Sequence, residues 1–393
     1  MKQVLSTFIL LLLISTSSFG QWENSSFTFQ SKTRNYRTYK PAGYNPANPT
    51  ALIVILHGLG GSMNDAEGLN ITAIADTANI ILLSPQALDY NNTLMPVEAA
   101  WNSGIQINVS GFGNFIVNGD VDDIGFINAM MDSTLAKFSV NPARVFVCGA
   151  SMGGFMTQRL ACETPARFKA VASVMGTYAK ALPVCNPGKI LPMAHFHGTS
   201  DELIGYDGNL TFNTLVFPVV LSVDSLVKKW IAINNCSSTA QHDIWPDANS
   251  DNLFVEHFTY SDAGGKSKVE LFKVNSGLHQ WYDYANTSGE IDYSVEIWKF
   301  FNKQYNYDPT DVGDRHLAIS KFAIFPNPST DKIFIKSDEP FVHAIVTDIC
   351  GRTVLSKPII DSGLSIVSLN KGTYLIKLIT AKGAFNFSKF VKL

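Results

Sequence analysis

Charge is scarce in this chain and its two signs nearly cancel. Of 393 residues 16% are charged, and 30 Lys and Arg against 33 Asp and Glu leave a formal net charge of −3. That balance excludes a basic footprint for nucleic acid, and a hydrophobic share of 46% excludes wholesale disorder. Cysteine is sparse as well, with five in all. There is no Cys-x-x-Cys and no His-Glu-x-x-His, so no metal centre is expected. The apolar run Phe8 to Ile14 falls far short of the roughly 20 residues of a membrane span, and no transmembrane segment is expected in the mature chain.

What is present divides in two. The chain is too long for one unit at about 100–200 residues per domain. From Ile319 to Leu393 basic residues outnumber acidic ones for a net +5, while Gln21 to Ala318 carries net −9. Lys2, the apolar run and a small polar stretch to Gly20 read as a secretory signal peptide over residues 1–20. Residues 21–301 form the large domain, a Pro- and Asp-containing segment over 302–318 suits a linker, and residues 319–393 form a smaller unit. Of Cys162, Cys185 and Cys236 at most one pair can form, and Cys162 with Cys185 closes the shortest loop. Cys148 ends a strand-like run and reads as a buried small hydrophobe.

In the large domain, apolar runs alternate with longer amphipathic segments. The strand-like runs are Ala51 to Leu56, Ile80 to Leu83, Arg144 to Cys148, Ala170 to Val174, Met193 to Phe196, Phe254 to Tyr260 and Val269 to Val274. The helical segments are Asn64 to Ala78, Val121 to Phe138, Gly153 to Cys162, Leu221 to Ile233 and Glu290 to Phe301. This order signifies an α/β fold, a mostly parallel sheet covered by helices. Phe27-Thr-Phe and Tyr36-Arg-Thr-Tyr would add antiparallel edge strands. In the small unit seven short alternating runs, punctuated by Pro, Asn, Asp and Gly, read as a β-sandwich.

Gly149-Ala-Ser151-Met-Gly153-Gly154 sits between a strand and a helix. Small residues there permit a tight turn that lifts the serine oxygen out of the sheet, with the helix N-terminus behind it. A serine nucleophile needs a base, and the base needs an acid to hold its tautomer. Asp201 and His279 both follow strand-like runs, and the order Ser151, Asp201, His279 is that of α/β-hydrolases. The competing acids are Asp207 and Asp224; the competing bases are His257, mid-strand, and His242, in a polar loop. His195 and His197 alternate along one strand and read as core or hydrogen-bonded histidines. Donors for an oxyanion would be the amides of Met152 and of Leu59, with Gly60 the alternative, in His57-Gly58-Leu59-Gly60-Gly61. A phosphate loop is excluded because no Lys follows these glycines. Trp101, Tyr206 and Trp281, with Asn102, Asp122 and Asp123 nearby, are candidates for a substrate cleft; Asp122 and Asp123 also suit a helix start.

Together with Arg37-Thr-Tyr-Lys-Pro-Ala-Gly-Tyr44, Val121-Asp-Asp-Ile-Gly-Phe126 and His197-Gly-Thr-Ser-Asp201, these motifs resemble the extracellular esterase family that groups polyhydroxybutyrate depolymerase-like proteins with feruloyl and acetyl xylan esterases. The resemblance spans roughly Tyr36 to Phe301 and implies an α/β-hydrolase without cofactor, acting on an ester substrate. Ser276-Gly-Leu-His279-Gln-Trp281 departs from the usual Gly-Gly-Gly-His, and Ala150 and Met152 differ from the typical depolymerase elbow. That leans toward feruloyl or acetyl esters of plant polysaccharide. The runner-up is a polyester hydrolase, and a catalytically inactive surface-binding protein is the alternative from another class. Phe325-Pro-Asn-Pro-Ser, Asp348-Ile-Cys-Gly-Arg, Lys371-Gly-Thr-Tyr-Leu-Ile and Lys389-Phe-Val-Lys-Leu resemble the C-terminal sorting domain of the type IX secretion system. This implies that secretion machinery as a partner and an extracellular or outer-membrane-surface location. A carbohydrate-binding module is the plainer alternative for this unit, but it would need an aromatic platform, and Tyr374 is the sole Tyr there.

Overall fold

The computed structural model describes residues 20–92, 96–247, 250–284, 287, 290–305, 322–337, 340–348, 353–359, 362–380 and 385–393. Residues 1–19 of the expected signal peptide, most of the expected linker, and Cys350 lie outside them. Two compact units divide at Tyr307 and Asp308.

Ten strands of the first unit form one sheet. They are β1 (Gln21–Phe29), β2 (Lys32–Lys40), β3 (Thr50–Leu56), β4 (Ile80–Pro85), β5 (Val140–Ala150), β6 (Ala170–Val174), β7 (Met193–Gly198), β8 (Gln241–Trp245), β9 (Phe254–Ser261) and β10 (Ser267–Asn275). Their order is β1-β2-β4-β3-β5-β6-β7-β10-β9-β8. Neighbours from β4 to β10 run parallel, and the pairs at both edges are antiparallel. Strand β8 is absent from the sequence reading because Gln-His-Asp-Ile-Trp carries no apolar alternation and is mostly exposed. His242 therefore lies on a strand, opposite Phe258, and not in a polar loop.

The central strands read as continuous apolar runs because both faces are covered. Along β3, Leu52, Val54 and Leu56 enter one core cluster while Ala51, Ile53 and Ile55 enter the other. The first core is shared with α2 (Asp123–Lys137), α3 (Met152–Glu163) and α4 (Val223–Ile233), the second with α1 (Ile71–Ala78) and α5 (Tyr293–Tyr305). Helix α4 buries Val223, Leu226, Val227 and Trp230, the i, i+3, i+4, i+7 stripe of an amphipathic helix. The expected helix over 64–78 is interrupted, a short 3-10 turn (Asp65–Gly68) preceding α1. Helix α5 runs to Tyr305, past the expected end at Phe301.

Asp122 caps α2 by accepting the Gly125 amide at 2.8 Å. Asp123 is buried and pairs with the equally buried Arg34 at 2.6 Å, and it also accepts the Asn102 amide at 2.7 Å. Asp122 thus serves the helix start, and the carboxylate of Asp123 joins β2, α2 and the loop at Asn102.

The second unit has two sheets, one of three strands and one of four. Ile333, Ile335 and Leu364 from the first share a core with Ala344, Val346, Ile376, Leu378 and Phe390 from the second. That is a sandwich. Strand Lys332–Ser337 alternates exposed and buried side chains, as a half-covered sheet requires.

Cys162 at the end of α3 is disulfide-bonded to Cys185, and Cys148 and Cys236 are free. The sequence separation of 23 predicts that Cys162→Ser lowers the unfolding free energy by about 3 kcal/mol through the longer reach of the unfolded chain. Denaturant titration with and without reductant checks this. Reductant should bring the native protein to the variant's midpoint.

Candidate active site

Strand β5 ends at Ala150 and α3 begins at Met152, so Ser151 alone makes the turn, at φ 54° and ψ −119°. A non-glycine residue holds such a conformation only when its surroundings impose it. A Cβ on Gly153 would collide with the carbonyls of Leu56 and His57, and one on Gly149 would collide with Gly153 itself. The two glycines let helix and strand cross in contact, and the Ser151 amide is fixed to Val174 O at 2.9 Å. The Ser151 hydroxyl makes no hydrogen bond among the described residues.

The loop after β3 passes beside this serine: a Cβ on Gly58 would sit 3.4 Å from Ser151 Cβ. Its shape is set from behind. Trp101 Nε1 donates to His57 O at 2.9 Å, and His57 Nε2 accepts the Ala87 amide at 3.1 Å. His57 Nδ1 therefore carries the proton and donates it to Gly58 O at 2.7 Å. Burial lowers the His57 pKa and keeps the ring neutral. The Gly60 amide is engaged by the carbonyls of Glu98 and Ala99 at 3.1 and 3.3 Å, and Gly61 donates to Gly58 O. The amides of Leu59 and Met152 have no acceptor among the described residues. Between Leu59 and the alternative Gly60, only Leu59 thus retains an amide to offer.

Because β5, β6, β7 and β10 are parallel and in register, the segments carrying Ser151, Asp201 and His279 leave the same edge of the sheet. Asp201 Oδ1 accepts the amides of Leu203 and Ile204 at 3.0 and 2.8 Å. Its Oδ2 lies 2.8 Å from His279 Nδ1. The Asp201 side chain is completely buried, whereas that of His279 is 17% exposed. The two loops are tied together by Ser200 N to Gly277 O at 2.9 Å and Ser276 N to Thr199 Oγ1 at 2.9 Å. With Nδ1–H directed to Asp201, Nε2 of His279 carries a lone pair, which is what a general base requires.

The competing residues are occupied elsewhere. His257 pairs with Glu270 at 3.0 Å, His242 with Glu256 at 3.3 Å, Asp207 accepts from Asn209 within its own turn, and Asp224 lies in the first turn of α4. The tryptophan expectation needs correction: Trp101 has no exposed surface, so it supports the loop at His57 and does not line a cleft. Tyr206 is partly buried, its ring edge-on to His197 at 5.8 Å. Trp281 is partly buried, with Nε1 3.3 Å from Ser294 Oγ. Leu59, Leu203 and Leu278 are exposed, at 39%, 49% and 53%, and of these the sequence reading singled out only Leu59, for its amide. Each adjoins a residue discussed above, a signal visible only once the loops are placed. Elsewhere, carboxylate oxygens of Asp247, Asp251 and Glu290 lie within 4.8 Å of one another, a grouping that no short sequence spacing announces.

This sheet order and the serine turn at its edge define an α/β-hydrolase. Residues 44–220 match the family described as Phospholipase/Carboxylesterase, and residues 323–392 match the Secretion system C-terminal sorting domain. The chain is 33% identical over 264 residues to "Putative esterase NocK" of Nocardia uniformis subsp. tsuyamanensis, covering 64% of this chain and 71% of that protein. It is 25% identical over 246 residues to Feruloyl esterase B of Piromyces equi, covering 61% of this chain and 41% of that one. With Feruloyl esterase C of Emericella nidulans the identity is 30% over 190 residues, covering 47% and 61%. The chain thus spans less than half of the Piromyces protein and under two thirds of the Emericella one. Among solved structures it is similar to an acetyl xylan esterase from Aspergillus awamori, with 14% identity and TM-score 0.46 over 72% of this chain and 99% of that one. The chain belongs to the carboxylesterase family of α/β-hydrolases and carries a C-terminal sorting domain that implies type IX secretion. No helix among the described residues is long and apolar enough to cross a membrane.

Burial keeps His57, His195 and His197 below the ordinary value of 6.5, His195 well below it. The unfolded chain takes up protons at these rings as pH falls through 6.5 while the folded chain does not. Stability therefore decreases below that pH, by about 1.4 kcal/mol per pH unit for each ring until its folded-state value is reached. Tm measured at pH 7, 6 and 5 should fall progressively; an unchanged Tm would contradict the neutral burial of these rings.

Proposed function

We propose that this chain is a secreted serine esterase in which Ser151 is the nucleophile, His279 the general base and acid, and Asp201 the residue that orients His279. Ser151 Oγ attacks the ester carbonyl and its proton passes to His279 Nε2. The oxyanion is held by the Leu59 and Met152 amides. Collapse of the tetrahedral intermediate expels the alcohol, which takes the proton from His279. Water then attacks the acyl-enzyme, giving its proton to His279 and returning Ser151. No cofactor takes part in these steps. The observation that carries the reading is the buried Asp201 carboxylate 2.8 Å from His279 Nδ1, at the sheet edge where Ser151 turns out under strain.

Feruloyl or acetyl esters of plant polysaccharide are the substrates this reading favours. The names of the relatives from Piromyces equi and Emericella nidulans support the feruloyl class. The exposed leucines at 59, 203 and 278 offer apolar surface to an acyl group. The sorting domain supports release outside the cell or display on the outer-membrane surface.

Hydrolysis of p-nitrophenyl acetate, methyl ferulate, acetylated xylan and polyhydroxybutyrate by the full chain and its Ser151→Ala variant tests the proposal. The variant should lose about a thousandfold or more in kcat/KM and all labelling by a serine-directed phosphonate. Preference for methyl ferulate or acetylated xylan supports the polysaccharide reading, and preference for the polyester overturns it. An unlabelled, inactive native protein would instead point to a binding role. As His279 is protonated the base is lost, so kcat/KM should fall on the acid side. A flat profile between about pH 5 and 8 would remove His279 from the mechanism.

A further inference from the structure

Two histidines that the proposed mechanism does not use lie directly behind its acid. His195 and His197 occupy alternate positions of β7, and neither has any exposed surface. Imidazoles buried in this way are costly unless their polar atoms are hydrogen-bonded. His197 Nε2 is 2.8 Å from the carbonyl oxygen of Ile204, which can only accept, so the proton is on Nε2 and the lone pair on Nδ1. His195 Nε2, 3.1 Å from that Nδ1, is then the donor. Ile204 gives its own amide to Asp201 Oδ1 at 2.8 Å, and Asp201 Oδ2 holds His279 Nδ1 at the same distance. His197 Nε2 also lies 3.5 Å from Asp201 Oδ2. One N–H thus faces both the peptide that clamps the acid and the oxygen that holds the base.

We propose that His197, its tautomer set by the Ile204 carbonyl and its Nδ1 lone pair satisfied by His195, is a positioning residue: it locks the Ile204 peptide onto Asp201 and sets an N–H dipole against the oxygen that orients His279. This rests on the assignment of Asp201 and His279 made above. A charged side chain behind Asp201 would compete with the His279 imidazolium for the carboxylate, whereas a neutral N–H holds the carboxylate without doing so. Burial lowers both rings, and for His197 it outweighs the Ile204 carbonyl and the Asp201 charge, which raise it. The other titratable groups facing this cluster are Tyr206, edge-on to His197, and Tyr282 and Tyr293. Burial, with a smaller contribution from the Asp201 charge, raises the latter two.

Three variants of the full chain test this. His197→Leu removes the N–H, His195→Phe removes the donor that satisfies His197 Nδ1 and holds the ring in place, and His197→Gln keeps an amide N–H within reach of Ile204 O. The first two should lower kcat about tenfold or more with little change in KM, the worth of a hydrogen bond to a charged group. They should also move the acid limb of kcat/KM to higher pH, because a less compensated Asp201 holds the His279 proton more tightly. His197→Gln should restore most of kcat and the native limb. The downfield proton resonance of His279 Nδ1–H should shift in the leucine variant and return in the glutamine variant. If His197→Gln is no better than His197→Leu, or if limb and resonance stay in place throughout, the histidines merely pack and the proposal is overturned. Should His197→Leu fail to fold, His197→Asn, whose amide is too short to reach Ile204, takes its place, and equal activity and limb in the asparagine and glutamine variants overturn it. Turnover that persists in Ser151→Ala would overturn the assignment of Ser151 as nucleophile instead, while the resonance still reports whether His197 acts on His279.

Discussion

Ser151 stands at φ 54° and ψ −119° where α3 crosses the end of β3 with no room for side chains at residues 149 and 153. The carbonyls of Leu56 and His57 occupy the space that a Cβ at residue 153 would need, Gly153 occupies that of residue 149, and a Cβ at residue 58 would just touch Ser151 Cβ. Everything else at the site depends on this crossing. It puts the serine at the head of α3, where unpaired amides and the helix dipole converge. It also brings the loop after β3 alongside, so that the Leu59 and Met152 amides belong to one small region. The strain is tolerable because β3, β6 and the Val145–Gly149 stretch of β5 are buried and lie between neighbouring strands on both sides.

A second constraint is the burial of a carboxylate. Asp201 has no exposed side-chain surface, and an isolated ion there would be prohibitively costly. Two amides of its own turn, the His279 N–H and the nearby His197 N–H supply the donors. The same partners that make the charge tolerable fix the direction of the imidazole. Orientation of the proposed base is in this sense a by-product of solvating its acid.

The parallel sheet had a clear trace in the sequence because each of its buried strands is a run of Val, Ile, Leu, Phe or Ala, and Gly149 to Gly154 is short enough for its meaning to be local. Asp201 and His279 could be ranked because both follow strand-like runs on a common edge. The readings that failed did so where chemistry and burial part company. Trp101 adjoins polar residues and looks like a cleft aromatic, yet its ring is covered and its N–H is used on the His57 carbonyl. Asp123 looks like an exposed helix-start acid, yet Arg34, brought in from β2, makes it the centre of a buried pair. Strand β8 has no apolar signature because it lies at the sheet's edge and needs only backbone partners from β9.

By itself the sequence determined the two-unit organisation, the alternation of strands and helices, the serine turn, and which aspartate and histidine follow which strands. Each of these is written in residues adjacent along the chain, where periodicity and turn chemistry operate. Tertiary structure alone decided that Leu59 and not Gly60 keeps a free amide, that Cys162 meets Cys185, that Leu59, Leu203 and Leu278 are left exposed, and that His197 stands beside Asp201 with His195 against it. Those outcomes depend on contacts between segments distant in sequence, and no local pattern records which hydrogen-bonding groups will find one another once the sheet has closed its register.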